Sequence, residues 1–245
     1  MENKTFKQVT LPDAEGVLQT YDIEIPTSQV TELDGMLSII TNRLDALEYK
    51  EIKISSFGHN QGTKERGEIV TNPTLTWSLN KTPKSLKIDG EDITPLTSTS
   101  KSYTGLSIEW NSGKVWTLTV TDTDPSGATV TKTATTSITF ANWIYYGALN
   151  SASITEAQIK GLSGSTKSNT KSREVTYSAG AGQYLWYCLP DRLGACSFVD
   201  KGTGFAAALD DLGTIEVTNG SGYKENYRIY RSTFAGLGDL TIKIS

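Results

Sequence analysis

Histidine occurs once in this chain, at His59, and cysteine twice, at Cys188 and Cys196. One His and two Cys make a zinc site only with help from carboxylates. A hydrolase triad would have to draw on His59, which stands in a polar Gly-His-Asn-Gln-Gly loop, and the chain has no Gly-x-Ser-x-Gly elbow. Basic residues number 23 against 27 acidic ones, for a net charge of −4, and no Lys/Arg cluster interleaves with aromatics. Nucleic acid is therefore not an expected partner. No apolar run approaches the length of a membrane span, so membrane insertion is not expected either. The opening MENKTFKQVTLPDAEG lacks the basic start and apolar core of a secretory signal, which predicts a product made in the cytosol. In that compartment Cys188 and Cys196 read best as small apolar residues that stay reduced. A turn between them would also let the two thiols face each other across a hairpin.

Acidic groups are present, in Asp122-Thr123-Asp124 and in Asp89, Glu91 and Asp92, but without the twelve-residue ligand pattern of a calcium loop, so they read as turn residues. Gly202-Thr203-Gly204 does not sit between a strand and a helix and is no phosphate cradle. No catalytic residue, cofactor or metal is expected.

The chain is organised around residues 28–50, SQVTELDGMLSIITNRLDALEYK. The large aliphatics Val30, Leu33, Leu37, Ile40, Leu44 and Leu47 alternate at spacings of three and four, the a/d seam of a coiled coil. Asp34, Arg43, Glu48 and Lys50 occupy charged flanks, and Met36 at a g position widens the stripe. No other run has such a seam, so the simplest partner is the same helix from another copy, and these six residues are the expected oligomerisation set. The alternative is a helix packed on its own domain. Val30 at a over Leu33 at d favours two strands, whereas Leu37 and Leu44 at a around Ile40 at d favour three or four. The helix is expected to start at Pro26-Thr27-Ser28 with Ser28 as cap and Glu32 in the first turn, and to run for roughly 34 Å.

Ahead of it, Phe6 to Leu11 and Tyr21 to Ile25 read as short extended segments around the turn Pro12-Asp13-Ala14-Glu15-Gly16, and residues 1–27 are read as an anchor that docks on a larger assembly. After it, residues 51–140 carry a continuous β pattern. Leu75, Trp77 and Leu79 alternate with threonine and serine, as do Trp116, Leu118 and Val120. Fourteen of the residues from Thr94 to Thr139 are threonine, mostly at alternate positions, which suits a solvated sheet face. This stretch reads as an immunoglobulin-like β-sandwich with Trp77 and Trp116 in the core. Residues 141–245 read as a second β-sandwich with one short helix, which starts from Ser153-Ile154-Thr155-Glu156 as a capping box. The segment 184–189, apolar on both faces, reads as a strand covered on each side.

The order IYYGALN (144–150), a short Thr/Ser-Glu helix, QYLWYCLPDRLGACSF (183–198) and VTNGSGYKENYRIYRSTFAGLGDLTIKIS (217–245) resembles the C-terminal module of many bacteriophage virion proteins, the tail-fibre, baseplate or head-fibre components. The resemblance rests on Tyr-Tyr-Gly at 145–147, Pro-x-Arg-Leu-Gly at 190–194 and Gly-Tyr-x-Glu-x-Tyr at 222–227. It covers residues 140–245 well, the preceding sandwich loosely, and the N-terminal segments only in layout. It implies a structural, non-enzymatic virion protein, assembled in the host cytoplasm and anchored to other virion proteins through residues 1–27. Its β domains would project to a host surface, with a host cell-surface glycan as the partner class. Fibres of this layout are commonly trimeric, which tips the copy number to a homotrimer. The expected contacts are exposed aromatics of the C-terminal module such as Tyr223, Tyr230 or Trp143, unless these lie in its core. The competing readings are a carbohydrate-binding adhesin module of bacterial origin and a depolymerase on a fibre scaffold.

Overall fold

In a computed structural model, residues 4–25 and 27–245 are described, with side chains described for 10–21 and 31–245. The described chain is mostly β. Two strands, β1 (Lys4–Pro12) and β2 (Leu18–Ile25), form an antiparallel ribbon. Asp13 fixes the turn between them, its carboxylate accepting from the backbone N–H groups of Glu15 and Val17 and from the Gln19 amide. The helix α1 (Thr27–Glu48) follows. It begins before Ser28, so Ser28 lies inside it rather than at its cap, and its first turn holds no acidic residue. Glu32 falls in the second turn, and Pro26 lies outside the described residues.

The strands that follow are β3 (Ile54–His59), β4 (Lys64–Glu65), β5 (Ile69–Thr71), β6 (Thr74–Leu79), β7 (Ser85–Ile88), β8 (Glu91–Asp92), β9 (Ser100–Ser102), β10 (Ser107–Glu109), β11 (Val115–Thr123) and β12 (Thr129–Ser137). They form a three-stranded sheet in the order β3-β6-β9, a four-stranded sheet β12-β11-β7-β8, and the pair β10-β5. β6 and β11 show the period-two burial that their alternation predicts, with Trp77 and Trp116 buried. The threonine-rich β12 buries none of its side chains and forms the edge of its sheet.

The C-terminal strands are β13 (Phe140–Leu149), β14 (Gly164–Ser168), β15 (Arg173–Ala179), β16 (Tyr184–Pro190), β17 (Phe198–Asp200), β18 (Leu209–Thr218), β19 (Lys224–Ser232) and β20 (Gly238–Ile244), with α2 (Glu156–Lys160) after β13. One sheet runs β14-β13-β16-β19-β18, with β4 added in parallel to the start of β13; the other runs β15-β20-β17. β16 lies centrally and is covered on both sides. Leu185, Tyr187 and Leu189 join Val175, Tyr177, Phe198 and Ile242 of the second sheet in one apolar cluster. Trp186 and Cys188 point the other way, into a cluster closed by Ile154, Ile159 and Leu162 around α2. The cap of α2 is Thr155, two residues later than expected. Gln158 completes the capping box, and the Thr155 N–H donates to the Gln158 carboxamide at 2.9 Å.

The chain divides into two compact units. One comprises residues 1–54, 79–96 and 119–133, the other 55–78, 97–118 and 134–245. In the first, Tyr49 at the end of the helix lies under the Lys81 ammonium, 4.3 Å from its ring centre. Lys81 also pairs with Asp122, holding that carboxyl below the usual carboxylate range. Glu51 pairs with Lys132, and the Asn80 amide donates to the Glu51 carbonyl.

In the second unit the 62–71 segment is fastened to the turn before β19. The Ser221 hydroxyl and the Asn219 amide both donate to the Arg66 carbonyl, and the Arg66 guanidinium stacks on Trp110, whose ring lies 4.8 Å from that of Tyr223. Gly67 makes this approach possible. Its φ is +89°, and a Cβ there would sit 2.5 Å from Ser221 Oγ and from Tyr223 Cβ. Gly67→Ala is therefore expected to lower stability by about 1–3 kcal/mol through strain and displacement of the 219–223 turn, measured by denaturant titration. A variant as stable as the parent would mean that the turn does not close on Arg66 as described.

Candidate functional site

The expected oligomerisation residues lie on α1. Leu33, Leu37, Ile40, Leu44 and Leu47 are 53 to 84% exposed; the side chain of Val30 is outside the described residues. Met36 and Ile39 are exposed beside them. Ile39, one position outside a strict a/d seam, makes the apolar stripe broader than the spacing alone indicates. Every described side chain from 31 to 48 is exposed, and Ile40, Arg43, Leu44 and Leu47 edge a shallow groove. The helix carries Gly35 at its middle, a costly residue there by about 1 kcal/mol relative to Ala. An isolated helix of 22 residues with such an interruption is marginal in water.

The aromatic residues named as contacts divide differently from the expectation. Tyr230 is core, packed edge-on against Phe198 at 4.8 Å, with its hydroxyl accepting from the Cys196 N–H. Trp143 and Tyr223 are half-buried, the first beneath Lys167 and the second against Trp110. The exposed aromatics after residue 140 are instead Phe205 and Phe234, in loops and 77 and 67% exposed. Nothing in the local sequence marks them, because their exposure is set by two loops that meet only in the fold.

Those loops enclose a pocket of about 220 Å3 lined by Asp200, Thr203, the alanines 206–208, Leu209, Phe234, Leu237 and Leu240. Residues 200–208 form a tight hydrogen-bonded loop. The Asp200 carboxylate accepts from the Gly202 N–H at 2.8 Å and the Thr203 hydroxyl at 2.8 Å, and the Asp200 N–H donates to the Phe205 carbonyl at 2.9 Å. The facing turn is held as firmly. The buried Ser232 hydroxyl donates to the Phe234 carbonyl and accepts from the Leu185 N–H, while the Gly236 N–H donates to the Gln183 carbonyl. A second cleft, about 300 Å3, lies between Tyr146, Ser163, Thr176 and Ser178. Its hydroxyls are largely committed, Thr176 to Thr241 and Ser178 to Asp239, and the Tyr146 ring lies across Gly164.

The remaining chemically active groups are tied into structure. Both ring nitrogens of His59 are engaged, one with the Ser137 carbonyl at 3.0 Å and the other accepting from the Gln61 N–H. Cys188 and Cys196 are free thiols in different clusters, and burial pushes the Cys196 thiol up to about 11 and that of Cys188 further. Asp124 accepts from the Ser126 hydroxyl and from the N–H groups of Ser126 and Ala128, which lowers its pKa and makes it a turn residue. Asp92 pairs with Lys87. Among the described residues no group of three or more His, Cys, Asp or Glu could hold a metal ion, and no helix is long and apolar enough to cross a membrane. Comparison with protein-family models, with curated proteins and with solved structures gives no match.

Proposed function

We propose that this chain is a bacteriophage virion structural protein, an oligomeric fibre of tail, baseplate or head, whose α1 assembles as a parallel three-stranded coiled coil. In this reading residues 1–27 anchor the assembly to other virion proteins, residues 28–50 form the stalk, and residues 51–140 and 141–245 are an immunoglobulin-like β-sandwich and a second β-sandwich that project toward the host surface. The observation that carries it is the exposed apolar stripe of α1, from Leu33 to Leu47. A helix so open and so apolar is stabilised by burial against equivalent helices, at about 25 cal/mol for each Å2 of apolar surface removed from water.

Mechanistically the molecule works as a multivalent binder. Copies held on one stalk present identical weak sites at high effective concentration, so avidity exceeds the affinity of each site by roughly two to four orders of magnitude. The test is immunogold labelling of purified particles with antibody against residues 51–245. Label at symmetric positions on intact particles is the expected result. Label confined to the particle-free supernatant of the lysate would remove the virion assignment.

A further inference from the structure

We propose that the pocket between the 200–208 loop and the turn at 233–240 binds one ring of a neutral saccharide, an inference that rests on the attachment reading above. The pocket is amphipathic in a way that selects its ligand. Most of its lining is apolar, with Ala207, Leu209, Leu240 and the largely exposed ring of Phe234. Its polar side chains are those of Asp200 and Thr203.

Acceptor counting at Asp200 narrows the chemistry. A carboxylate offers about four lone-pair sites, and the loop takes one on each oxygen, through the Gly202 N–H and the Thr203 hydroxyl. One acceptor position on each oxygen remains, an arrangement that suits two neighbouring hydroxyl donors. No Lys, Arg or His lines the pocket, and its only charge is negative. Phosphates, uronic acids and other anions would meet an uncompensated carboxylate. A purely apolar group, such as an aliphatic side chain of a second protein, would cover the remaining acceptor positions of Asp200 with no donor to replace water. A pyranose meets both requirements, with a C–H face for the Phe234 ring and hydroxyls at its edge for the carboxylate. The volume, about 220 Å3, suits one ring rather than an extended chain. Because both walls are fixed by their own hydrogen bonds, little ordering is needed on binding.

The test is saturation-transfer NMR on the full-length protein with methyl glycosides of hexoses and N-acetylhexosamines at about 50 mM, enough to populate a millimolar site. Transfer to ring C–H protons is expected from at least one probe. Phe234→Ala and Asp200→Asn should each weaken it by about tenfold, the scale of one aromatic or charge-assisted contact. Ile69→Ala, exposed and outside this pocket, should leave it unchanged. Melting curves confirm that each variant is folded. Three results overturn the proposal: no transfer from any probe, transfer that survives undiminished in Phe234→Ala, or a light-scattering mass that falls in that variant because the surface is covered by a second copy. Failure of the virion assignment is distinguishable. A protein that binds the glycosides through Phe234 but is absent from particles keeps the saccharide site and loses the fibre.

Discussion

Leu37→Asp with Ile40→Asp is expected to convert a trimer of the intact chain into a folded monomer, a drop of about threefold in light-scattering mass. Both side chains are 60% exposed within a single chain, so their replacement removes little packing from the monomer itself. In a seam, by contrast, each copy would bury two carboxylates against Leu and Ile, at several kcal/mol per unpaired charge. The far-UV signal should change with the mass. The β sheets persist, while the helix, marginal on its own and interrupted at Gly35, melts once it loses its partners. The parent assembly should also melt at a temperature that rises with protein concentration, and the variant should not. A parent protein that is already monomeric would remove the stalk and the avidity mechanism with it. A variant that keeps the parent mass would place the assembly interface elsewhere.

The sequence is most informative where burial follows a short period. β6 and β11 alternate in the chain and in the fold, and the two-faced run at β16 lies where such a run must, between neighbours and under cover on both sides. It is less informative at element ends, where several residues compete for one role. Ser153 and Thr155 both offer a hydroxyl, and Gln158 rather than Glu156 completes the box because Glu156 is drawn to the Thr218 N–H and Lys160. Contacts between distant segments leave no local trace. Arg66 and Tyr223 meet at Trp110 across more than a hundred residues, and only Gly67, a glycine beside a strand, hints at a close approach. The pocket at Asp200 belongs to this last class. Phe234 and the exposed Phe205 sit in Gly/Ala-rich connections whose meeting depends on β18, β19 and β20 being in place, so composition alone favours tyrosines and tryptophans, of which Tyr230 is core and Trp143 and Tyr223 are half-buried.

That division of the aromatics yields the second large effect. Tyr187→Ala is expected to cost about 3–5 kcal/mol, the range for deleting a large buried aromatic, which for a unit of this size lowers the melting temperature by roughly 10 °C. Tyr187 is fully buried, meets Phe198 edge-on at 5.9 Å, and donates its hydroxyl to the Lys171 carbonyl at 3.1 Å. Its removal opens a hole between the two C-terminal sheets and leaves that carbonyl without its donor. Tyr187→Phe separates the two contributions, since it keeps the ring and loses only the hydrogen bond, at about 1 kcal/mol. Phe205→Ala and Phe234→Ala, with rings mostly in solvent, should change stability by no more than about 0.5 kcal/mol, measured by denaturant titration under the same conditions. If the phenylalanine variants were as destabilised as Tyr187→Ala, their rings would be structural and unavailable to a ligand. If Tyr187→Ala cost no more than Tyr187→Phe, the core between the sheets would be too loose to hold the 200–208 loop and the 233–240 turn at the fixed separation that a one-ring pocket requires.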